Sequence, residues 1–349
     1  VRAVRAALTE IKAIRDIFQV QSRKGYNHSM EKTGIILLNL GGPESLKAVR
    51  PFLYNLFSDR DIIPLGPPFL QKPIAWLISA FRASKTRKAY SLIGGGSPIR
   101  KITLEQARLL EKELSGSYNV RTFIGMRYWH PFIEETLQEA RKDGIQRVIG
   151  LSLYPQFSFA TTGSTEKVFL QAAREMGLRT DMIRSWHDFP PYIRALKERI
   201  LAAFNSCPSS RPVPLLFSAH SLPVSFIEKG DPYQKQIKET IRLVMEGLRE
   251  DGLTIPHYLC YQSRSGPVRW LEPSTEEMLH RLAEEGIKEL LAVPISFVSD
   301  HIETLYEIDI LYRDMAASLG INLRRVPSLN SSPLFISALG DLVKKYLIN

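Results

Sequence analysis

The 349 residues are 44% hydrophobic and 23% charged, a composition that excludes a fibrous or low-complexity protein and fits a soluble globular chain of two domains or one large one. Two cysteines, Cys207 and Cys260, exclude a disulfide framework, a four-cysteine zinc site and a cysteine-held iron–sulfur cluster, and point to a reducing cytoplasm. The net charge of +10 favours an anionic partner, but no basic helix with a base-reading pattern and no single-strand stacking module occurs, so nucleic acid is not expected.

Residues 1–29 are basic and amphipathic. Val1, Val4, Leu8, Ile11, Ile14 and Phe18 share a helical stripe with Arg2, Arg5, Lys12 and Arg15 outside it. A targeting peptide or surface anchor fits this pattern, although Glu10 and Asp16 weaken the transit-peptide reading. With Val first and Met30 just before the first strand, an upstream extension of the reading frame fits equally, so the segment is set apart from the fold.

"TGIILLNLGGPES" (33–45) is an apolar run closed by Gly-Gly-Pro and reads as a buried strand entering a turn. The stretch 66–100 follows, apolar in front ("PIAWLISAF") and basic behind. Its prolines and glycines argue against one regular element. It reads as a lip that sets an apolar edge on a membrane while Lys and Arg meet phosphates, or as a helix packed on the sheet. No run approaches the roughly 18 apolar residues of a membrane span.

Strand patterns recur at 120–128, 139–153, 213–225, 257–264 and 281–295. "EARKDGIQRVIGLSL" and "RLAEEGIKELLAVPI" are both a helix end, a Gly-Ile step and a buried strand. Gly144 and Gly286 lie 142 positions apart, and Glu135 and Glu277 keep that offset. Two similar α/β halves with parallel sheets flanked by helices are predicted: 30–185, with the lip at 64–98, and 186–330, then a C-terminal helix in 331–349. Ligands of such sheets bind beyond the carboxyl ends of the strands. Both His220, in "FSAHSLP", and "FVSDHIETLYEID" (297–309) occupy that position.

On an α-helix, Asp300, Glu303 and Glu307 share a face with His301 adjacent. A solvated acidic face is the ordinary reading of that spacing. The apolar neighbours Phe297, Ile302, Leu305 and Ile308, and His220 at another strand end, favour a site able to accept protons or bind a divalent cation. There is no nucleophile elbow, and "GGGSP" (94–98) lacks the Lys-Ser/Thr of a phosphate loop.

Taken in order, "LNLGGPES", "DRDIIPLG", "IGGGSPI", "MRYWHPFIEETL", "LYPQFSFATTGS", "FSAHSLP", "GDPYQ", "YQSRSGPVRWLEPSTEE" and "SDHIETLYEID" resemble the ferrochelatases, which insert ferrous iron into a porphyrin as the last step of haem synthesis. The resemblance runs from about Thr33 to the C-terminus. It implies two Rossmann-like domains around a porphyrin cleft, with His220 and Glu303 as the catalytic pair and His220, Glu303 and Glu307 meeting the metal. It further implies that Leu40, Tyr90, Ser97, Arg127, Tyr128, Gln262, Ser263, Trp270, Asp300 and His301 line the macrocycle pocket or its propionate end. Trp76, Phe81, Arg82 and Lys85 correspond to the membrane-facing lip. Arg127 is expected to pair a propionate, and Trp270 to hold the ring puckered, or else to be a core residue. Fe²⁺ is expected as a substrate, with no permanently bound cofactor. The chain departs from the family where the acidic line after Glu307 meets Leu311, which puts an outer metal-loading site in doubt. It also lacks the cysteines of a C-terminal iron–sulfur cluster, so none is expected. The long lip and the "GGPES" and "DRDII" segments imply protoporphyrin as substrate and peripheral membrane association, with coproporphyrin or a non-catalytic tetrapyrrole carrier as alternatives.

Overall fold

A computed structural model describes residues 31–207 and 213–348. The basic extension 1–29 lies outside the described residues. Eight strands form two four-stranded parallel sheets of identical order. The first, β2-β1-β3-β4, comprises β1 (Thr33–Asn39), β2 (Val120–Met126), β3 (Arg147–Ser152) and β4 (Arg179–Ile183). The second, β6-β5-β7-β8, comprises β5 (Leu215–His220), β6 (His257–Gln262), β7 (Glu289–Pro294) and β8 (Asn322–Arg325). The central strands are buried, β1 along its whole length and β5 up to its last residue His220, as expected of parallel strands covered by helices on both faces. Every strand-like stretch singled out in the sequence is a strand.

The internal repeat has a local physical cause. Glu135 and Glu277 each sit three residues into a helix and reach back to its start, where their carboxylates accept from the Phe132 and Ser274 amides at 2.8 and 2.7 Å. Gly144 and Gly286 end those helices with φ of +77° and +79°, a backbone region that favours glycine. The repeated pattern is therefore a helix start, a helix stop and the strand that follows.

The halves are not separate cores. One apolar cluster runs from Ile35 and Leu37 of β1 through Trp186 and Tyr192 to Phe217 of β5 and Phe335 of the terminal helix Pro333–Leu347. Polar ties cross the same boundary. Gln106 donates to Ser299 Oγ and to the Asn330 carbonyl at 3.0 and 2.7 Å, and Ser158 donates to Asp231 at 2.8 Å. The terminal helix receives a 2.7 Å hydrogen bond from Arg147 of β3 at its Tyr346 carbonyl.

The stretch 66–100 departs from expectation. Gln71–Leu92 is one continuous helix, because its only internal proline, Pro73, lies in the first turn, where a proline removes no intrahelical hydrogen bond. Gly94, Gly95 and Gly96 lie beyond its end. The helix packs on the helix Val49–Ser58 through Ala75, rather than on the sheet. The glycine-rich loops have a structural purpose: the Ser97 amide donates to the Pro43 carbonyl at 2.7 Å, and a side chain at Gly42 or Gly96 would collide with the opposite loop. "GGPES" and "GGGSP" are therefore one joint between two close backbones.

Candidate active site

The carboxyl ends of both sheets supply the site. His220 ends β5 and pairs in register with Gln262, the last residue of β6. Glu303 and Glu307 follow β7 on a ten-residue π-helix, Glu303–Tyr312. This winding differs from the α-helix the spacing suggests, and it separates the acidic residues. Asp300 turns away from Glu303, and its carboxylate accepts from Arg325 at 2.9 Å, Ser328 at 2.7 Å and Asn330 at 2.8 Å. Both of its oxygens are thus engaged within the protein.

Glu303 and Glu307 remain together. His220 Nδ1 lies 2.7 Å from Glu303 Oε2, and Ser263 Oγ lies 2.8 Å from that same oxygen and 2.5 Å from Glu307 Oε2. Gln262 Nε2 donates to both the Glu303 carbonyl and Glu307 Oε2 at 2.9 Å, while its Oε1 accepts from Ser218 at 2.6 Å. A hydroxyl carries one hydrogen, so Ser263 cannot donate to two carboxylates at once. The arrangement is satisfied when Ser263 donates to Glu303 and a protonated Glu307 donates to Ser263. Ser263 reaches this position with φ of +66°, an uncommon conformation for a residue with a side chain and a sign of local constraint at the site.

The electrostatics agree with that proton count. Burial, reinforced by the Glu303 charge, pushes Glu307 up to about 7, against the bonds from Ser263 and Gln262 that favour its anion. For Glu303 burial acts upward too, but the charge and hydrogen bond of His220, with help from His301, outweigh it and hold the carboxyl below the usual range. Burial draws His220 down, and the carboxylates of Glu303 and Glu307 more than restore it, so its pKa is raised. The His220 side chain is 36% exposed and that of Glu303 15%, so the imidazole is the member of the pair that a ligand reaches. His220 Nε2 has no protein hydrogen bond among the described residues.

His301 is buried behind the pair. Its Nδ1 donates to the Ser299 carbonyl at 3.0 Å, which aims Nε2 at Glu303 Oε1, 3.8 Å away. Phe297, which the sequence reading passed over as a ligand-side residue, lies edge-on to both imidazoles, with centroids 6.3 Å from His220 and 4.4 Å from His301. His220, Glu303 and Glu307 form a hydrogen-bonded line rather than a cage. Among the described residues, no group of three or more His, Cys, Asp or Glu is arranged to hold a metal ion.

The other expected pocket residues divide. Leu40 follows β1 and Tyr128 follows β2, joined by a 3.0 Å backbone bond, and Tyr90 is buried beside Tyr128. Glu303 adds to burial in raising the Tyr90 phenol, which places the two near each other. Ser97 is half-buried in the loop joint. Gln262 and Ser263 are engaged with the carboxylates of Glu303 and Glu307. Trp270 sits on the rim loop that follows β6 and is tied to Pro223 by a backbone bridge. Its indole is not among the core residues.

Arg127 is engaged by partners from other elements. Its guanidinium donates to Asp59 at 2.7 Å and to Ser164 at 3.0 Å, while Tyr128 and Ser164 donate to the same Asp59 oxygen at 2.6 and 2.7 Å. Asp59 was not singled out in the sequence, where "DRDII" counted only as part of the resemblance; its burial comes from the fold. An open hollow of about 350 Å³ adjoins this node, lined by Asn55, Ser58, Asp59, Arg60, Asp61, Arg127 and Lys167. Its lining includes none of His220, Glu303 or Glu307.

Tyr154 was also missed. It follows β3, its hydroxyl is buried beside the Leu40 backbone, and Glu303 adds to burial in raising its phenol. Its position after the strand "RVIGLS" was the available signal. On the lip, Phe81 is 81% exposed, Trp76 55% and Leu77 48%, while Arg82 crosses the cleft mouth to donate to Ser265 at 2.5 Å. Lys85 is exposed on the same helix. No helix of the described residues is long and apolar enough to cross a membrane.

A family model described as Ferrochelatase matches residues 32–347. A ferrochelatase of Geotalea uraniireducens is 53% identical over 318 residues, covering 90% of this chain and 98% of that relative. One of a Synechococcus species is 49% identical, covering 91% and 83%. Among solved structures, SirB from Bacillus subtilis with Fe³⁺ superposes with a TM-score of 0.54 at 13% identity, covering 91% of this chain and 96% of that one, a likeness of fold. With the two matched parallel sheets and a histidine–carboxylate line at their carboxyl ends, the chain belongs to the ferrochelatase family and is a metal chelatase.

Proposed function

We propose that this enzyme inserts Fe²⁺ into protoporphyrin IX, releasing two protons, at the His220–Glu303 pair. The observation that carries the proposal is the continuous line from the exposed His220 imidazole through Glu303 and Ser263 to Glu307. Metalation must remove two pyrrole N–H protons from a stiff ring and deliver a partly dehydrated cation. His220 Nε2 takes a pyrrole proton, while Nδ1 remains bonded to Glu303, which stabilises the imidazolium as it forms. The proton then has a path through Glu303 and Ser263 to Glu307 once Glu307 has given up its own proton and the Ser263 hydroxyl has turned toward it, and a pKa of about 7 lets Glu307 exchange protons in this way near neutrality. Imidazole and carboxylate also suit the incoming dication as transient ligands. Iron is in this reading a substrate, not a resident cofactor.

The exposed apolar face of the lip, Phe69, Trp76, Leu77 and Phe81 with Lys85 nearby, supports a peripheral seat on a membrane that holds an apolar porphyrin. The test is an anaerobic assay with Fe²⁺ and either protoporphyrin or coproporphyrin, following loss of free-base fluorescence, with and without anionic vesicles. Faster metalation of protoporphyrin and co-flotation with vesicles are expected. Preference for coproporphyrin would overturn the substrate, and binding without metalation would make the protein a carrier.

The coupling of Glu307 to His220 sets a pH dependence. Glu307→Gln removes one of the charges that raise His220 and the carboxyl that titrates near 7. The acid limb of the kcat/KM profile is expected to move to lower pH, with a lower plateau. An unmoved limb would show that Glu307 takes no part in the proton line.

A further inference from the structure

We infer that Arg325 is a positioning residue whose guanidinium holds Glu303–Tyr312 in its π-helical register, and so sets where Glu307 stands relative to Glu303. This rests on the reading that Glu303 and Glu307 handle the protons and the metal. A ten-residue π-helix is far longer than the single-turn bulge in which that winding usually occurs, and the α-helical winding of the same residues is its natural competitor. Side-chain burial discriminates weakly between the two. The segment's buried residues are Thr304, Ile308 and Tyr312, four apart, a spacing that either winding keeps on one face over so short a stretch.

The discriminating contacts are ionic. Arg325 is the last residue of β8 and lies in register with Ala292 of β7, on the rigid sheet. Its Nε and Nη2 donate to the two oxygens of Asp309 at 2.8 Å each, a bidentate fork, and its Nη1 donates to Asp300 at 2.9 Å. Asp300 precedes the segment and Asp309 lies within it, so one buried cation grips the chain on both sides of Glu303 and Glu307. A change of winding rotates Asp309 relative to Asp300 and breaks one arm of the grip. Buried ion pairs are weak sources of stability, and their best-attested use is to fix register. The Arg325 side chain is 10% exposed and Asp300 17%, whereas Asp309 is 33% exposed and is the arm that can be removed with least disturbance.

Asp309→Ala is therefore the test, with Asp309→Asn as the variant of nearly unchanged shape should the alanine form fail to fold. The folded variant is expected to bind protoporphyrin within about twofold of the parent and to lose on the order of tenfold to a hundredfold in kcat, the scale of a roughly 1 Å misplacement of a reacting group. Asp309→Glu, which restores the charge, should recover part of the loss. In a Glu307→Gln background the further loss from Asp309→Ala should shrink to about threefold or less, because the group it positions is already gone. Unchanged kcat in the folded variant, or a loss that multiplies in full with that of Glu307→Gln, would overturn the inference. Glu303→Gln run alongside separates the two levels: retained turnover there sinks the catalytic reading itself, whatever Asp309 does.

Discussion

Glu303→Gln is expected to reduce metal insertion by about 10²–10⁴-fold while leaving porphyrin affinity nearly unchanged, and His220→Ala to do the same. The replacement at Glu303 keeps size and hydrogen-bonding capacity but deletes the charge that faces His220 Nδ1 at 2.7 Å. Without it, an imidazolium formed by taking a pyrrole proton has lost its stabilising partner, and the line to Glu307 through Ser263 is interrupted at its centre. Neither side chain is needed to bury the macrocycle, so binding should survive. Single-turnover metalation beside fluorescence titration of the free-base porphyrin makes the separation. Turnover near the parent rate in both variants would remove these residues from the mechanism.

Arg127→Ala should act first on folding, at a cost of about 3–5 kcal/mol, the usual consequence of removing one partner of a buried pair. The Arg127 side chain is 19% exposed and that of Asp59 7%. Truncation leaves the Asp59 carboxylate buried on neutral donors alone. The resemblance had implied a propionate partner, for which the expected effect is a higher KM at unchanged stability. Denaturant unfolding distinguishes the two, and an unaltered midpoint would restore the propionate role. The pH dependence follows. Burial alone would raise Asp59, but the Tyr128 and Ser164 hydroxyls, the Arg127 charge and the Asp61 amide together lower it. A lowered carboxyl stabilises the fold above the ordinary aspartate range and loses that contribution as pH falls below it. In Arg127→Ala this acid sensitivity should shift upward in pH.

Much of the architecture was legible because its causes are local. Apolar runs such as Ile35–Leu38 can only be buried strands, and Glu135, Gly144, Glu277 and Gly286 mark the same helix starts and stops twice over. The strand-end rule put His220 and Glu303 at the carboxyl ends of their strands without any knowledge of the partner strands, and there the two side chains meet. For the stretch 66–100 a helix was one of two readings, left open because Pro73 breaks a helix in its middle but not in its first turn, and composition alone does not say which turn it occupies.

What the sequence by itself determined is therefore the repeated α/β plan, the two catalytic candidates and the family, since these depend on periodicity, capping and motif order along the chain. Tertiary structure alone decided which charges face the cleft. Asp300 and Arg127 find their partners in Arg325 and Asp59, distant in sequence, and Gln262 comes beside His220 only when β6 lies beside β5. The winding of Glu303–Tyr312 belongs to the same class. The physical reason is that a buried charge takes its partner from whatever the fold brings within about 3 Å, and that neighbour comes from another element of the chain.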